Sequence, residues 1–321
     1  MDFSLETLTA AINDMPHLPT QLGDSGLFAY DGVATTSVDL ESDGYTIQLV
    51  QSAARGAPGQ SIGRGQRKLR TLRLSHLPQE DAIMADEVQG VRAFGTTDQP
   101  EPLQARMNKV LLIGSQNNDY TLEYHRVGAL KGIVYDKDGA ELHNFFNEFG
   151  VTQNTLDFEL DTASTEVRPK CDQALDLIAD ELQGVMMTGA IAFCGRDFFR
   201  SLITHKTTKE SYLATAEAAA LRGAMPNSFD YGGVTWVKYR GSVDGVPMIA
   251  NNEAYIVPLG VPGLLIGRFG PAPYNETVNT KGLPMYAKAK ENEQGTGWKV
   301  WMQSNPIHIN TRPRAIIKAT V

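Results

Sequence analysis

The stretch that most restricts what this chain can fold into lies between Gly44 and Gln79. It carries Arg55, Arg64, Arg67, Lys68, Arg70 and Arg73 and no acidic residue. Tyr45-Thr46-Ile47-Gln48-Leu49-Val50 alternates apolar and polar side chains, the period of a strand with one covered face. Arg55 to Gln66 holds Gly56, Pro58, Gly59, Gly63 and Gly65, residues that break regular structure. Arg67 to Leu74 returns as a second arm of mixed apolar and charged residues. The pattern predicts a two-stranded hairpin with a loose basic tip. Such a hairpin is marginal alone in water and must lie on another surface. In a chain of net charge −8 that surface is expected to be acidic.

Length and composition set wide bounds. At 321 residues the chain can bury a large core, as two domains or one elaborate one. Charged residues at 21% and apolar residues at 42% are ordinary for a water-soluble globular protein. No apolar run approaches the roughly 18 to 20 residues that span a bilayer. The N-terminus MDFSLETLTA lacks a basic n-region, so no signal peptide is expected. Cys171 and Cys194 form no metal-ligand cluster and suggest a reducing compartment. The excess of acids, 37 against 29 bases, argues against nonspecific duplex binding by the surface as a whole.

In chain order, residues 1–44 read as an arm with no core of its own. A short helix is predicted over Leu5 to Ile12, with Ser4 as N-cap and Leu5, Leu8 and Ile12 on one face. Pro78, followed by Glu80 and Asp81, predicts a helix in which Met84, Val88 and Val91 share a face. Pro100 and Pro102 open a longer helix from Leu103 to Lys131, about 40 Å of strut at about 1.5 Å per residue. Gly114-Ser115-Gln116-Asn117-Asn118 is expected to bend it, and Gly132 to end it. Ile133–Tyr135 and Ala140–Leu142 form a hairpin around Asp136-Lys137-Asp138-Gly139. A strand over Thr155–Leu160, a helix over Glu166–Leu182, a buried strand over Val185–Cys194 and a short helix with Phe198, Phe199 and Leu202 follow. Gly232-Gly233 then joins two hairpin strands. Strands and helices mix without regular βαβ alternation, which predicts an α+β fold.

Chemistry is sparse. The Asp136 turn departs from a calcium loop, since glycine falls at position four and the twelfth residue is Asn147. Gly63-Arg64-Gly65-Gln66-Arg67-Lys68 has neither phosphate-loop spacing. The six histidines are scattered, and no G-x-S-x-G elbow exists. Cys194, between apolar neighbours, reads as a buried inert thiol. The basic stretch lacks the interleaved aromatics of a single-strand binder. These readings point away from an enzyme and toward no cofactor and no metal.

Several motifs together carry a resemblance. Leu74-Ser75-His76-Leu77-Pro78 through Glu87-Val88-Gln89-Gly90-Val91-Arg92-Ala93-Phe94-Gly95, Thr121-Leu122-Glu123-Tyr124, Gly128-Ala129-Leu130-Lys131-Gly132, the Asp138-Gly139 hairpin and Phe193-Cys194-Gly195 with Phe198-Phe199 are the first. Asn275-Glu276-Thr277-Val278-Asn279-Thr280 through Tyr286-Ala287-Lys288, and Gln303-Ser304-Asn305-Pro306 through Thr311-Arg312-Pro313, complete the set. In this order, from about residue 20 to the end, the chain resembles the lambda-like major capsid proteins of tailed phages, the capsid protein E group.

The resemblance implies the Hong Kong 97-type capsid fold. Residues 1–41 would be an N-terminal arm, 42–77 the E-loop, 78–164 a P-domain with spine helix 103–131, 165–257 an A-domain, and 258–321 strands returning to the P-domain. The chain would be the self-assembling shell subunit of a virion, built in the host cytoplasm as hexamers and pentamers around double-stranded DNA held without sequence preference. Its E-loop bases Arg55, Arg64, Arg67, Lys68, Arg70 and Arg73 would contact a neighbouring subunit. A portal protein and a separate scaffolding protein are implied, because the arm is too short for a fused scaffold; a decoration protein is left open, and no membrane is involved. The tip offers no lysine for a Lys–Asn cross-link, and no maturation cleavage is expected. The alternative is an encapsulin-like nanocompartment shell of the same fold.

Overall fold

The computed structural model describes residues 4–42, 68–89, 103–213 and 227–321. The expected strand at Tyr45–Val50, the tip with Arg55 and Arg64, and Arg67 at the start of the return arm lie outside the described residues. The chain begins with α1 (Leu5–Asn13), β1 (Ala29–Gly32) and β2 (Ser37–Ser42), then β3 (Lys68–Arg73), β4 (Leu77–Met84) and the one-turn α2 (Ala85–Val88). After α3 (Leu103–Lys131) come β5 (Ile133–Tyr135), β6 (Glu141–Asn144), α4 (Phe145–Phe149) and β7 (Thr155–Asp157). Next are α5 (Val167–Leu182), β8 (Gly189–Cys194), α6 (Arg196–Thr204), α7 (Lys206–Leu213), β9 (Ser228–Tyr231) and β10 (Val234–Lys238). The chain finishes with β11 (Ser242–Val243), β12 (Val246–Pro247), β13 (Glu253–Leu259), β14 (Leu265–Phe269), β15 (Tyr286–Glu291), β16 (Gly297–Ser304), β17 (Pro306–Asn310) and β18 (Ile317–Thr320). These elements form two compact units.

The first unit comprises residues 1–38, 71–126 and 266–308. One of its sheets has the order β15-β16-β4, with both pairs antiparallel, and another the order β1-β14-β17. Val300 and Met302 of β16, Met285, Ala287 and Ile83 form one core with Leu8 and Ile12 of α1 and Met107, Val110 and Leu111 of α3. Gly114 has a packing role: a Cβ there would come within 2.3 Å of Met302 Sδ. Helical backbone continues through residues 114–118.

α1 has no core of its own and contributes Leu8 and Ile12 to this shared one. Ser4 Oγ accepts the Thr7 N–H at 3.4 Å, the N-cap expected of it. Five residues on, Thr9 Oγ1 donates to Ala287 O and accepts from Ala287 N, at 3.3 and 3.2 Å. Asn13 does the same with Met285, donating at 2.9 Å and accepting at 3.2 Å. The helix thus joins the free side of β15 through side chains, which hydrophobic spacing alone does not reveal. The helix expected after Pro78 is corrected over Leu77–Met84. Glu80 and Asp81 do not open a helix; all eight residues pair with β16. Pro78 is tolerated because β4 is an edge strand. Among the described residues of this stretch, helix covers Ala85–Val88, and Val91 lies outside them.

The second unit comprises residues 39–70, 127–265 and 309–321. Its six-stranded sheet runs β7-β18-β13-β8-β10-β9, with β8–β10 and β7–β18 parallel and the other pairs antiparallel. Val167, Cys171, Ala174, Ile178 and Leu182 make the buried stripe of α5, at the three- and four-residue spacing of one helix face. Phe158, Phe198 and Trp236 pack ring against ring at 5.6–5.9 Å. The Gly232-Gly233 turn has φ of 63° and 79°, which glycine adopts without a Cβ penalty. The strand expected from Val185 begins only at Gly189, after a turn with Gln183 and Gly184 at positive φ.

Candidate subunit-contact surface

β3 is the described part of the basic stretch. Its alternation buries Leu72 and exposes Leu69, Thr71 and Arg73, with Leu69 60% exposed. Lys68 begins the strand. Arg70 is engaged within its own chain: Nε donates to Glu148 O at 2.6 Å, and the guanidinium lies 4.9 Å from the centre of the Phe149 ring. Such a stacked, hydrogen-bonded arginine fixes the strand on α4. Arg55, Arg64 and Arg67 lie outside the described residues.

The sequence did not single out an exposed acidic cluster. In the first unit, Glu80, Asp81, Asp86 and Glu87 are all exposed along β4 and α2. Glu80 meets Lys299 at 2.7 Å and Glu87 meets Arg106 at 3.8 Å. The signal was present as four acids within eight residues, but reading Glu80 and Asp81 as a helix start hid their presentation on a strand edge.

A second constellation holds residues 17–30 to α3. Asp119 accepts the Leu18 N–H at 2.9 Å and faces His17 at 3.4 Å. Glu123 accepts the N–H groups of Leu22 and Gly23 at 2.8 and 3.1 Å. Arg126 pairs with Glu123 at 3.4 Å and donates to the Tyr30 hydroxyl. Positions 119, 123 and 126 share one helix face by their spacing of four and three. All three side chains are buried, so each depends on its partners.

Neither cysteine is poised for chemistry. Burial pushes the Cys171 thiol up to about 12 and holds Cys194 well above its ordinary value. No group of three or more metal-ligating side chains gathers among the described residues. Among them no helix is long and apolar enough to cross a membrane.

A sequence profile of the family described as phage major capsid protein E matches residues 4–321. The chain belongs to that family. As a member it is 29% identical to the major capsid protein of Pseudomonas phage KPP10, over 99% of this chain and 96% of the other. It is 23% identical to the major capsid protein of Salmonella phage Felix O1, over 98% and 95%. The α+β architecture is the Hong Kong 97-type capsid fold. The putative capsid protein of an E. coli CFT073 prophage shares it, with a TM-score of 0.57, 16% identity and coverage of 100% and 99%. The capsid of a native GTA particle does so at a TM-score of 0.51, 10% identity and coverage of 95% and 92%. Family and relatives are those of phage shells, so the nanocompartment alternative is not favoured.

Proposed function

We propose that this chain is the major capsid protein of a tailed phage, the repeating subunit of an icosahedral head. The observation that carries the reading is the family match over residues 4–321. The organisation of the chain supports it: a basic stretch without acids, a 29-residue spine helix and buried, inert thiols. In this reading residues 42–77 form the E-loop, 78–164 the P-domain and 165–257 the A-domain. Arg55, Arg64, Arg67, Lys68 and Arg73 lie against a neighbouring subunit, with the exposed acids of β4 and α2 as their counterpart, while Arg70 steadies the base of the loop. Heterologous contacts of this kind close into rings, which build hexamers and pentamers. A separate scaffolding protein and a portal complete the head, which is assembled in the host cytoplasm and filled with double-stranded DNA.

Electron microscopy of the expressed chain is the test, and closed shells or rings are expected. A chain that stays monomeric would refute the reading. Changing Arg64 and Arg67 together to glutamate should weaken assembly most at low salt, where screening is least. Assembly unchanged at every salt concentration would remove the assigned role of these bases.

A further inference from the structure

The least expected side chain in the first unit is His308, in β17. It is 2% exposed, and neither ring nitrogen reaches a hydrogen-bonding group among the described residues. Buried imidazoles ordinarily have at least one partner. Two aromatic rings close over it edge-on: Phe28 at 5.4 Å and Tyr30 at 5.9 Å between centroids. From α3 the ring faces His125, at 6.4 Å, and Arg126, whose guanidinium also lies over the Tyr30 ring at 5.6 Å. From β14 come Phe269, stacked on Tyr30 at 5.7 Å, and Gly267, paired with Tyr30. Gly267 has no room for a side chain, since a Cβ would approach Tyr30 Cε1 to 2.3 Å. Among the groups named here the single negative charge is Glu123, which Arg126 and the backbone of Leu22 and Gly23 occupy.

We propose that the buried His308 site, lidded by Phe28 and Tyr30 and backed by Arg126 and His125, is an acid-sensitive latch for the segment 17–30. A proton on His308 would find no acceptor and would sit beside Arg126. Tyr30 is 40% exposed, so its ring is the part of the lid able to swing toward solvent. Tyr30 also receives the Arg126 hydrogen bond, and Arg126 is tied to Glu123, which holds Leu22 and Gly23. Opening the lid therefore loosens the strap.

The sign follows from the packing. Burial, then the charges of Arg126 and His125, hold His308 well below its ordinary value, so it is neutral when the latch is closed. An open or unfolded imidazole takes up a proton near pH 6.5. The closed state is fully favoured above that pH and loses ground as pH falls through it. The proposal stands on the packing of this unit alone and does not depend on how subunits assemble.

The test is hydrogen exchange of the full-length chain from pH 7.5 to 5.0, followed by mass spectrometry over residues 17–30 and corrected for the intrinsic pH dependence of exchange. Opening should become easier by up to about tenfold per pH unit below about 6.5, the limit for uptake of one proton. The variant His308→Phe should show a flat profile. A flat wild-type profile, or an equal slope in the variant, would overturn the latch. Should His308→Phe fail to fold, exchange of the His308 C2 hydrogen in the wild-type chain decides the matter. A midpoint well below pH 6.5 while the strap is protected is expected; an ordinary midpoint under the same protection would refute it.

Discussion

At the scale of single residues, the second unit holds a charged network at the start of β13. Lys318 Nζ meets Glu253 at 2.6 Å and the Tyr255 hydroxyl donates to it at 2.9 Å. Burial by itself would raise the Glu253 carboxyl, but these hydrogen bonds, with the charges of Lys318 and Lys131, hold it below the usual carboxylate range. A carboxylate depressed by folding contributes stability above its unfolded pKa, near 4.3, and that contribution disappears as pH falls through the folded value. Glu253→Gln should therefore be less stable than wild type at pH 7 and show a shallower loss between pH 5 and 3. Urea titrations at several pH values will read the difference; identical slopes would remove Glu253 from the acid response. Burial also lowers the Lys131 amine, whose Nζ donates to Met248 O at 3.4 Å.

At the scale of elements, the core should feel the loss of α1. Ile12→Ala is expected to cost about 2 to 5 kcal/mol of stability, because Ile12 is 1% exposed within that core. A change below about 0.5 kcal/mol in chemical unfolding would place α1 outside the folded unit. The reach of α3 was legible because its bounds are chemical: Pro102 before Leu103, and Gly132, with φ of 88°, after Lys131. The α5 stripe was legible because burial on one helix face leaves a period in the sequence. β4 was not legible. Proline followed by two acids satisfies the rules for a helix start, and the pairing that overrides them comes from β16, more than two hundred residues away. The attachment of α1 was hidden for a related reason: Thr9 and Asn13 read as ordinary polar residues until β15 is beside them. His308 also gave no signal, since a lone histidine in Pro306–Asn310 reads as any strand residue. The basic loop remains an assembly assignment. Deleting residues 55–66 should leave the folded units intact by circular dichroism while abolishing closed shells, and normal shells from that variant would show the loop to be dispensable.

At the scale of the whole molecule, the proposed function makes charge decide how a shell would treat its contents. Each lysine or arginine placed on a phosphate releases counterions and adds affinity that DNA ejection must undo. With 37 acids against 29 bases, six of them in the basic stretch, the surface is poor in phosphate partners. Capsomers should bind duplex DNA weakly and without sequence preference at physiological salt. Tight binding with a steep salt slope in a filter assay would reassign the basic stretch to nucleic acid.

The bonds from Thr9 and Asn13 to β15 have a consequence for growth. A strand with an unmatched row of N–H and C=O groups templates further strands without limit, and such stacking has no geometric end point. α1 occupies the outer side of β15 at Met285 and Ala287, so the sheet cannot be extended there by another copy. At this edge, strand-on-strand growth is blocked from within the subunit itself, before any second copy is met.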